Sequence, residues 1–581
     1  MKKLLVYLRG YRKEAVLGPL FKLFEALLEL LVPLVIATIV DRGIGGGDGG
    51  YVWRMSLLLV LIGVVGLFFS ITAQYFAARA SVGFVSRLRQ ALFAHIGKLS
   101  YTELDGLGNA TMMTRLTSDM NQVQSGLNLT LRLLLRSPFV VFGAMAMAFT
   151  VDTTSAVTFV AVIPALSFVV FGIMLLCIPL YKKVQARLDG VLLQVRENLE
   201  GTRVIRAFCR EGAEETEFSS RNATLTRVQL FVGRISALLN PLTYVLINGG
   251  IVALLYCGAL RVDSGALSTG SVIALYNYMS QILVELVKLA NLIITMTRSV
   301  ACGNRIAAVL EIPAGVAEGD TLPAPVPGSP AVEFRHASLV YRGASGCAVK
   351  DADFRAMPGE TIGIIGGTGS GKSSLVGMIL RAYDASEGEV LVFGHPVEDY
   401  LLAPLRAMVG LVPQKAQLFS GSIRFNLQMG KREASDEELW AALCAAQAED
   451  FVRAKPGGLD FTVEAGGRNL SGGQRQRLTI ARALVRQPKI LILDDSASAL
   501  DFATDAALRR SLRELSYHPT VFVVSQRTSS IAGADRIVVM DEGKVVGLGR
   551  QDELLQTCAV YREIYDSQYK KEEGEHGKNE K

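Results

Sequence analysis

Six stretches of mostly apolar residues, all within the first 300 positions, constrain this chain more than any other feature. They lie at 15–40, 55–78, 131–151, 156–181, 235–260 and 271–297. A helix needs about 20 such residues to cross a bilayer, and a lipid-exposed backbone tolerates little besides a helix. The connections after the first, third and fifth stretches are short, at 41–54, 152–155 and 261–270. Those after the second and fourth are long and cationic. One holds Arg79, Arg87, Arg89 and Lys98; the other holds Lys182, Lys183, Arg187, Arg196, Arg203 and Arg206. An excess of Arg and Lys marks the cytoplasmic side, so both long connections and both chain ends are expected there. Sequons at Asn109, Asn128 and Asn222 then face the wrong compartment for glycosylation. Helical periodicity persists through both long connections, which predicts a six-helix transmembrane domain with long cytoplasmic helical extensions.

Composition agrees with a chain that is half membrane-embedded and half soluble. Half of all residues are hydrophobic, mean hydropathy is +0.33, and the apolar content is concentrated before position 300. Net charge is only +6, and no basic tract with interleaved aromatics points to nucleic acid. Seven cysteines, at 177, 209, 257, 302, 347, 444 and 558, form no Cys-x-x-Cys pair, so neither a disulfide framework nor a zinc site is expected. The opening Met1–Val6 is apolar enough to suggest a signal peptide, but Arg9, Arg12 and Lys13 interrupt it and no small-residue cleavage site follows. It reads as a retained, cytoplasmic amphipathic segment.

Charges inside the apolar stretches need partners or a polar cavity, because a bare charge at mid-bilayer costs about 2.5–3.5 kcal/mol. Lys22, Glu25 and Glu29 share one face of the first helix, and Glu285 lies three residues before Lys288 in the sixth. Two readings stand: a cargo pathway with partly acidic walls, or side chains that snorkel to the interface. Glu29 and Glu285 are the candidates for a cavity.

The second half of the chain has a different character. A proline-rich stretch at 313–330 marks a linker, and 331–569 alternates strand-like and helix-like segments, as an α/β domain does. The last residues, 570–581, are almost wholly charged and are expected to be a disordered tail. After the apolar run Thr361–Ile365 comes Gly366-Gly367-Thr368-Gly369-Ser370-Gly371-Lys372-Ser373. This is a phosphate-binding P-loop, in which glycines let backbone N–H groups close around phosphates. Lys372 is placed to reach the β- and γ-phosphates, and the Ser373 hydroxyl to hold Mg²⁺.

About a hundred residues later, Leu470-Ser471-Gly472-Gly473-Gln474 resembles the signature of ATP-binding cassette proteins, the ABC family. The resemblance extends over the whole domain and implies that ATP is sandwiched between the P-loop of one cassette and the signature of another. This chain carries one of each, so it needs a partner. Tyr341 looks like the aromatic on which adenine stacks, with Ser374 beside the P-loop serine. Gln414, in Val412-Pro413-Gln414, resembles the glutamine that senses Mg²⁺ and faces the membrane domain. Ile490–Asp494 is similar to the apolar strand whose terminal carboxylate, Asp494, stands in the Mg²⁺ shell. Ser498–Asp501 matches the loop that crosses to the other cassette. In the membrane half, 111–119 and 197–208 resemble the segments flanking the coupling helices of ABC exporters of the half-transporter type.

Two positions depart from the family's pattern. Hydrolytic members carry Glu after the strand-terminal Asp; here it is Asp495, one methylene shorter. A displacement of 1 Å can lower a rate about 100-fold. The residue that contacts the γ-phosphate after the next strand is His in the family and Gln526 here, and Gln carries neither a transferable proton nor a positive charge. His518 precedes that strand and is badly placed to replace it.

Together these changes resemble the degenerate-site subunit of heterodimeric bacterial multidrug exporters. The resemblance implies an ATPase subunit in a bacterial-type inner membrane, multi-pass, with its cassette in the cytoplasm. Its own phosphate site would be impaired, while its intact Ser471 and Gly473 complete the hydrolytic site of a second half-transporter. ATP and Mg²⁺ are the expected cofactors, and small amphipathic compounds the expected cargo. A slow homodimer, and a membrane regulator or channel without cargo, remain as alternatives.

Overall fold

In the computed structural model the six apolar stretches fall on six helical runs: Lys3–Ile44, Gly49–Ile96, Asn109–Val151, Thr153–Glu200, Glu211–Asp263 and Thr269–Leu310. The structure describes residues 2–313, 319, 323–341, 344 and 346–576. The second and fourth runs have 48 residues each. At 1.5 Å per residue that is about 72 Å, more than twice the hydrocarbon core of about 30 Å. The helices therefore continue far beyond the bilayer, as the periodicity of the long connections predicts.

Within these runs the regular segments are α1 (Arg12–Thr38), α2 (Gly49–Ile96), α3 (Met120–Leu133), α4 (Arg136–Val151), α5 (Thr153–Glu200), α6 (Glu211–Ala237), α7 (Leu239–Asp263) and α8 (Thr269–Leu310). Each short connection ends on a side chain that caps the following helix. Asp48 accepts from Tyr51 N, Asp152 from Ser155 N and Ser268 from Ser271 N, satisfying amide groups that have no partner within the helix. Asp41, at the end of the first run, accepts from Gly270 N at 2.7 Å and from the Ser268 hydroxyl at 2.5 Å. One carboxylate thus ties the first and sixth runs together at that end of the bundle. Between the helices lies an apolar core that includes Ala26, Leu30, Val140, Ala144, Phe159, Tyr278 and Ile282. Small residues let α3 and α8 approach closely: a Cβ on Gly126 would lie 2.2 Å from the Cβ of Ser299.

The remaining unit is built on a ten-stranded mixed sheet, and a two-stranded ribbon stands apart from it. The strands are β1 (Val332–Val340), β2 (Cys347–Ala356), β3 (Thr361–Gly366), β4 (Glu387–Val392), β5 (His395–Pro396), β6 (Val409–Val412), β7 (Gly421–Ser422), β8 (Thr462–Val463), β9 (Ile490–Asp494), β10 (Thr520–Val524), β11 (Arg536–Asp541) and β12 (Lys544–Gly549). Their order in the large sheet is β5-β4-β1-β2-β12-β11-β3-β10-β9-β6, with β7 and β8 forming the ribbon. Strands β11, β3, β10, β9 and β6 run parallel to one another, β12 is antiparallel to β11 and parallel to β2, and β1, β2, β4 and β5 form an antiparallel wing. Both faces are covered. Leu491, Leu493, Val521 and Val523 enter one apolar core, and Ile490, Ile492, Phe522 and Val524 enter the other. Burial on both sides explains why β9 and β10 read as unbroken apolar runs rather than alternating ones.

The division into units follows the proline-rich boundary with one exception. Met1–Gly97 and Ala110–Ile312 form the helical unit, whereas Lys98–Asn109 groups with Pro313–Lys581. That excursion holds a short helix, Tyr101–Leu107, capped by Ser100. The described part of the 313–330 linker has no regular secondary structure; 314–318 and 320–322 lie outside the described residues. The final helix, Ala559–His576, carries on past Tyr569 into the segment expected to be a disordered tail, and 577–581 lie outside the described residues.

Candidate functional site

Pairing of β10 between β3 and β9 builds the site. Val524 is in register with Ile364 on one side and with Asp494 on the other. Three loops therefore leave the sheet at one edge: the P-loop after β3, Asp494–Asp495 at the end of β9, and Ser525–Gln526 after β10. Ligands bind at this carboxyl edge in open α/β sheets.

The P-loop closes onto the helix α9 (Lys372–Ile379). Gly371 is required for steric reasons: its φ is +93°, and a Cβ there would stand 2.1 Å from the Ala348 carbonyl. Gly366, Gly367, Thr368, Gly369 and Ser370 complete the loop. The ammonium of Lys372 donates to the carbonyls of Gly366 at 2.9 Å and Gly367 at 2.6 Å, and to the Ser370 hydroxyl at 3.4 Å. Burial pushes the Lys372 ammonium below its ordinary pKa, against the pull of Asp495 and Asp494. Ser373 donates its hydroxyl to Asp494 at 2.9 Å. Burial pushes the Asp494 carboxyl above the usual range, opposed by that hydrogen bond and reinforced by the negative charge of Asp495. A buried carboxylate that is costly to ionise suits a cation, and a buried ammonium suits an anion. The donor set therefore fits a magnesium–nucleotide: Ser373 and Asp494 for the metal, and Lys372 with the amide groups of the loop for the phosphates.

Gln414 donates its amide to Asp495 at 3.2 Å, so the two residues assigned to metal sensing and water activation are in contact. Asp495 has φ +45°, a left-handed conformation that Asp tolerates better than most residues, and its N–H is held by the Val524 carbonyl at 2.9 Å. Gln526 is exposed, and its side chain makes no hydrogen bond among the described residues. His518 precedes β10, beside Gly359 and Asp535, at the opposite end of the strand from Gln526.

Tyr341 is partly buried, shares a hydrogen bond of 2.7 Å with the Ser374 hydroxyl, and meets the Tyr383 ring edge-on at 5.0 Å. Tyr383 in turn donates its hydroxyl to Asp105 of the short helix Tyr101–Leu107 at 2.9 Å. Burial and Asp105 together hold its phenol above the ordinary value. The candidate adenine platform is thus connected to that helix through a tyrosine to which sequence reasoning assigned no role.

Ser471 caps the helix α10 (Gly472–Leu484) in a reciprocal box: Gln474 N donates to its hydroxyl at 3.3 Å, and Ser471 N donates to the Gln474 side chain at 3.1 Å. Ser471 and Gly472 are exposed. A Cβ on Gly473 would sit 3.2 Å from the Ala499 carbonyl, so a glycine lets the helix start pack against the loop 498–501. The result is an exposed, glycine-rich helix N-terminus, chemically suited to an anion.

In the helical unit, the candidates Glu29 and Glu285 meet through a residue that the reading of charges missed, Arg136. Its guanidinium donates to Glu285 at 2.6 Å and to Glu29 at 2.6 Å. Glu285 also accepts from Ser137 at 2.7 Å and from Lys288 at 2.8 Å, so the expected pair within its own helix is present. Lys22 is similarly paired with Glu25 at 2.5 Å. Glu29 and Glu285 do line a cavity of about 280 Å³, with Asn277, Gln281 and Lys288 among its other walls. Both carboxylates are neutralised there, and Glu285 is only 2% exposed. The walls are mixed, with Val32, Pro33, Ile36 and Val284 beside the polar groups, and the two carboxylates are matched by Arg136 and Lys288. Arg136 was findable, since it stands inside an apolar stretch, where a charge is rare.

Residues 16–286 match the ABC transporter transmembrane region family, and residues 349–498 match the ABC transporter family. The chain is 38% identical to an ABC transporter ATP-binding protein of Mycobacterium tuberculosis over 97% of each chain. It is 29% identical to the ATP-dependent lipid A-core flippase of Chromobacterium violaceum, over 98% of this chain and 97% of that one. Among solved structures it is similar in fold to a bacterial Atm1-family ABC exporter with ATP bound. That match has a TM-score of 0.79 at 24% identity and covers 97% of this chain and 98% of that one.

The charge cluster yields a stability test. Replacing Arg136 alone with Met leaves Glu29 without its counter-charge and buried Glu285 with Lys288 alone, and is expected to cost about 3–5 kcal/mol. Replacing Arg136, Glu29, Glu285 and Lys288 together with apolar residues of similar size should recover most of that loss. Thermal unfolding of the lipid-reconstituted variants measures both.

Proposed function

Since this chain belongs to the ABC transporter family, with its membrane region and its cassette on one polypeptide, we propose that it is half of a heterodimeric exporter whose own ATP site is impaired. The cassette is a transport ATPase that uses ATP with Mg²⁺, and the chain is a multi-pass inner-membrane protein with that cassette in the cytoplasm. ATP supplies the driving force through its terminal phosphate. The chain's residues bind and position it: Tyr341 offers a face to adenine, Lys372 and the P-loop amides hold phosphate oxygens, and Ser373 and Asp494 hold the metal.

One observation carries the proposal. Asp495 and Gln526 stand at the ends of β9 and β10, where a longer carboxylate and an imidazole would serve hydrolysis, while the signature around Ser471 and Gly473 is intact and exposed. A cassette losing its function altogether would have no reason to keep that signature. A cassette that completes a partner's site keeps it, because Ser471 and its helix N-terminus act on the partner's nucleotide. On this reading, closure of the paired cassettes on ATP turns the membrane cavity outward, and hydrolysis at the partner-derived site resets it.

Cargo of amphipathic character, a drug or a lipid, is supported by the mixed walls of the cavity beside Glu29 and by the similarity to a lipid A-core flippase. A slow homodimer is favoured by one contact: Gln414 already orients Asp495, which keeps a carboxylate in place to polarise water.

Steady-state ATPase in lipid separates these readings. The heterodimer predicts negligible turnover for this chain alone, with or without Asp495→Asn, and turnover when a second half-transporter is added. The homodimer predicts turnover alone that Asp495→Asn abolishes. Asp495→Glu restores the missing methylene, and with the second half-transporter present it should raise hydrolysis at this chain's own site by about 10- to 100-fold. Single-turnover assays with the other site silenced would read that gain.

A further inference from the structure

Gln526 is the exposed residue of a loop whose backbone is held on almost every side. Ser525 N donates to the Ile364 carbonyl at 3.0 Å, which docks the loop beside the P-loop strand. Arg527 N donates to the Ser525 hydroxyl at 2.9 Å. The remaining restraints come from one side chain far along the chain, Gln568, in α12 (Ala559–His576). Its carbonyl oxygen accepts from Thr528 N at 2.9 Å and from the Thr528 hydroxyl at 2.8 Å. Its NH₂ group donates to the Gln526 carbonyl at 2.8 Å.

Thr528 opens a helix of four residues, α11 (Thr528–Ile531), and Arg527 at its N-cap position offers no capping side chain. Amide groups at a helix start need an external acceptor. Gln568 supplies one from a different helix and uses its second functional group to fix the carbonyl on the other side of Arg527. An amide is the one common side chain that can accept and donate in this way from a single planar group. The helix that carries it is firmly seated: Tyr561 is fully buried in the sheet's core, Val560 and Ile564 pack against the same core, and Arg562 donates to the carbonyls of Leu555 and Gln556 at 2.7 Å each. Thr528 and Ile531 are buried at the other end of the contact.

We infer that Gln568 is a positioning residue: it holds the backbone on both sides of Gln526 so that the Gln526 side chain is presented to the terminal phosphate of bound ATP. The inference rests on the placement of Gln526 in the nucleotide site proposed above. ADP lacks that phosphate, so the preference of this chain for ATP over ADP reports on how Gln526 is held. Gln568→Leu removes all three hydrogen bonds. Gln568→Glu keeps an acceptor for Thr528 but cannot donate to the Gln526 carbonyl.

The test is equilibrium binding of ATP and ADP to the full-length lipid-reconstituted protein, in a double-mutant cycle with Gln526→Ala and with thermal unfolding alongside. Gln568→Leu should lower the ATP-over-ADP preference by about tenfold, a size usual for coupled neighbours, and Gln568→Glu should fall between it and the parent. In the Gln526→Ala background, Gln568→Leu should have no further effect on the preference. If Gln526→Ala lowers the preference while Gln568→Leu leaves it unchanged, or adds to it independently, the positioning role is wrong and the nucleotide-site reading stands. If Gln526→Ala itself changes nothing, the placement of Gln526 fails and the inference fails with it. A Gln568→Leu variant that loses thermal stability but keeps its preference would show a structural role only, and overturns the inference.

Discussion

Val524 pairs in register with Ile364 and with Asp494, and the chemistry of the cassette follows from this parallel alignment of β3, β10 and β9. β3 lies more than a hundred residues before β9 and β10 in sequence, yet the ladder brings the carboxyl ends of all three to a common edge. The P-loop, the Asp494 carboxylate and the loop of Gln526 then lie side by side without any of them having to reach. The alignment is sustained by burial on both faces, which a parallel sheet needs, so the apolar cores on either side of β9 and β10 are part of the site's construction. Backbone groups at the strand ends also serve the site. The amide of Asp495 is held by Val524 and that of Ser525 by Ile364, which extends the register of the sheet one residue into each loop.

The helical unit obeys a different constraint. Water is excluded from the hydrocarbon region, so a charge there must be matched by another charge. Arg136 with Glu29 and Glu285, and Lys22 with Glu25, are matched in this way. Arg136 connects three helices that are distant in sequence, α1, α4 and α8, and the carboxylates of the neighbouring cavity are matched by it and by Lys288. Breaking the set exposes a bare carboxylate, whereas removing it whole does not.

Much of this was legible in the sequence because local chemistry dictates it. A span of apolar residues in lipid has to be a helix; a loop with Gly371 where Ala348 closes in has to be glycine; a strand buried on both faces has to be apolar throughout. Lys372 and Ser373 open the helix after β3, Asp494 ends β9, Ser471 caps the helix Gly472–Leu484, and Glu285 meets Lys288 three residues away as helical spacing requires. The residues that escaped notice act across the fold. Arg136 answers Glu285 from another helix, Tyr383 joins Tyr341 to Asp105, and Gln568 holds the loop of Gln526 from the final helix. Arg136 stands out locally as a charge inside an apolar stretch, but its partners do not, and nothing in the neighbourhoods of Tyr383 and Gln568 distinguishes them from a core aromatic and a polar residue on a helix face.

The sequence by itself determined that this chain has six membrane helices and one cassette, and that Asp495 follows Asp494 and Gln526 follows Ser525. Apolar length and periodicity are enough to set the helices, and the order and spacing of its motifs are enough to set the cassette. Only the tertiary structure decided which charges neutralise one another, that Asp495 is met by Gln414, and that the loop of Gln526 is held by Gln568. These depend on the distances between elements that chain order leaves free, and the packing of buried surfaces sets those distances.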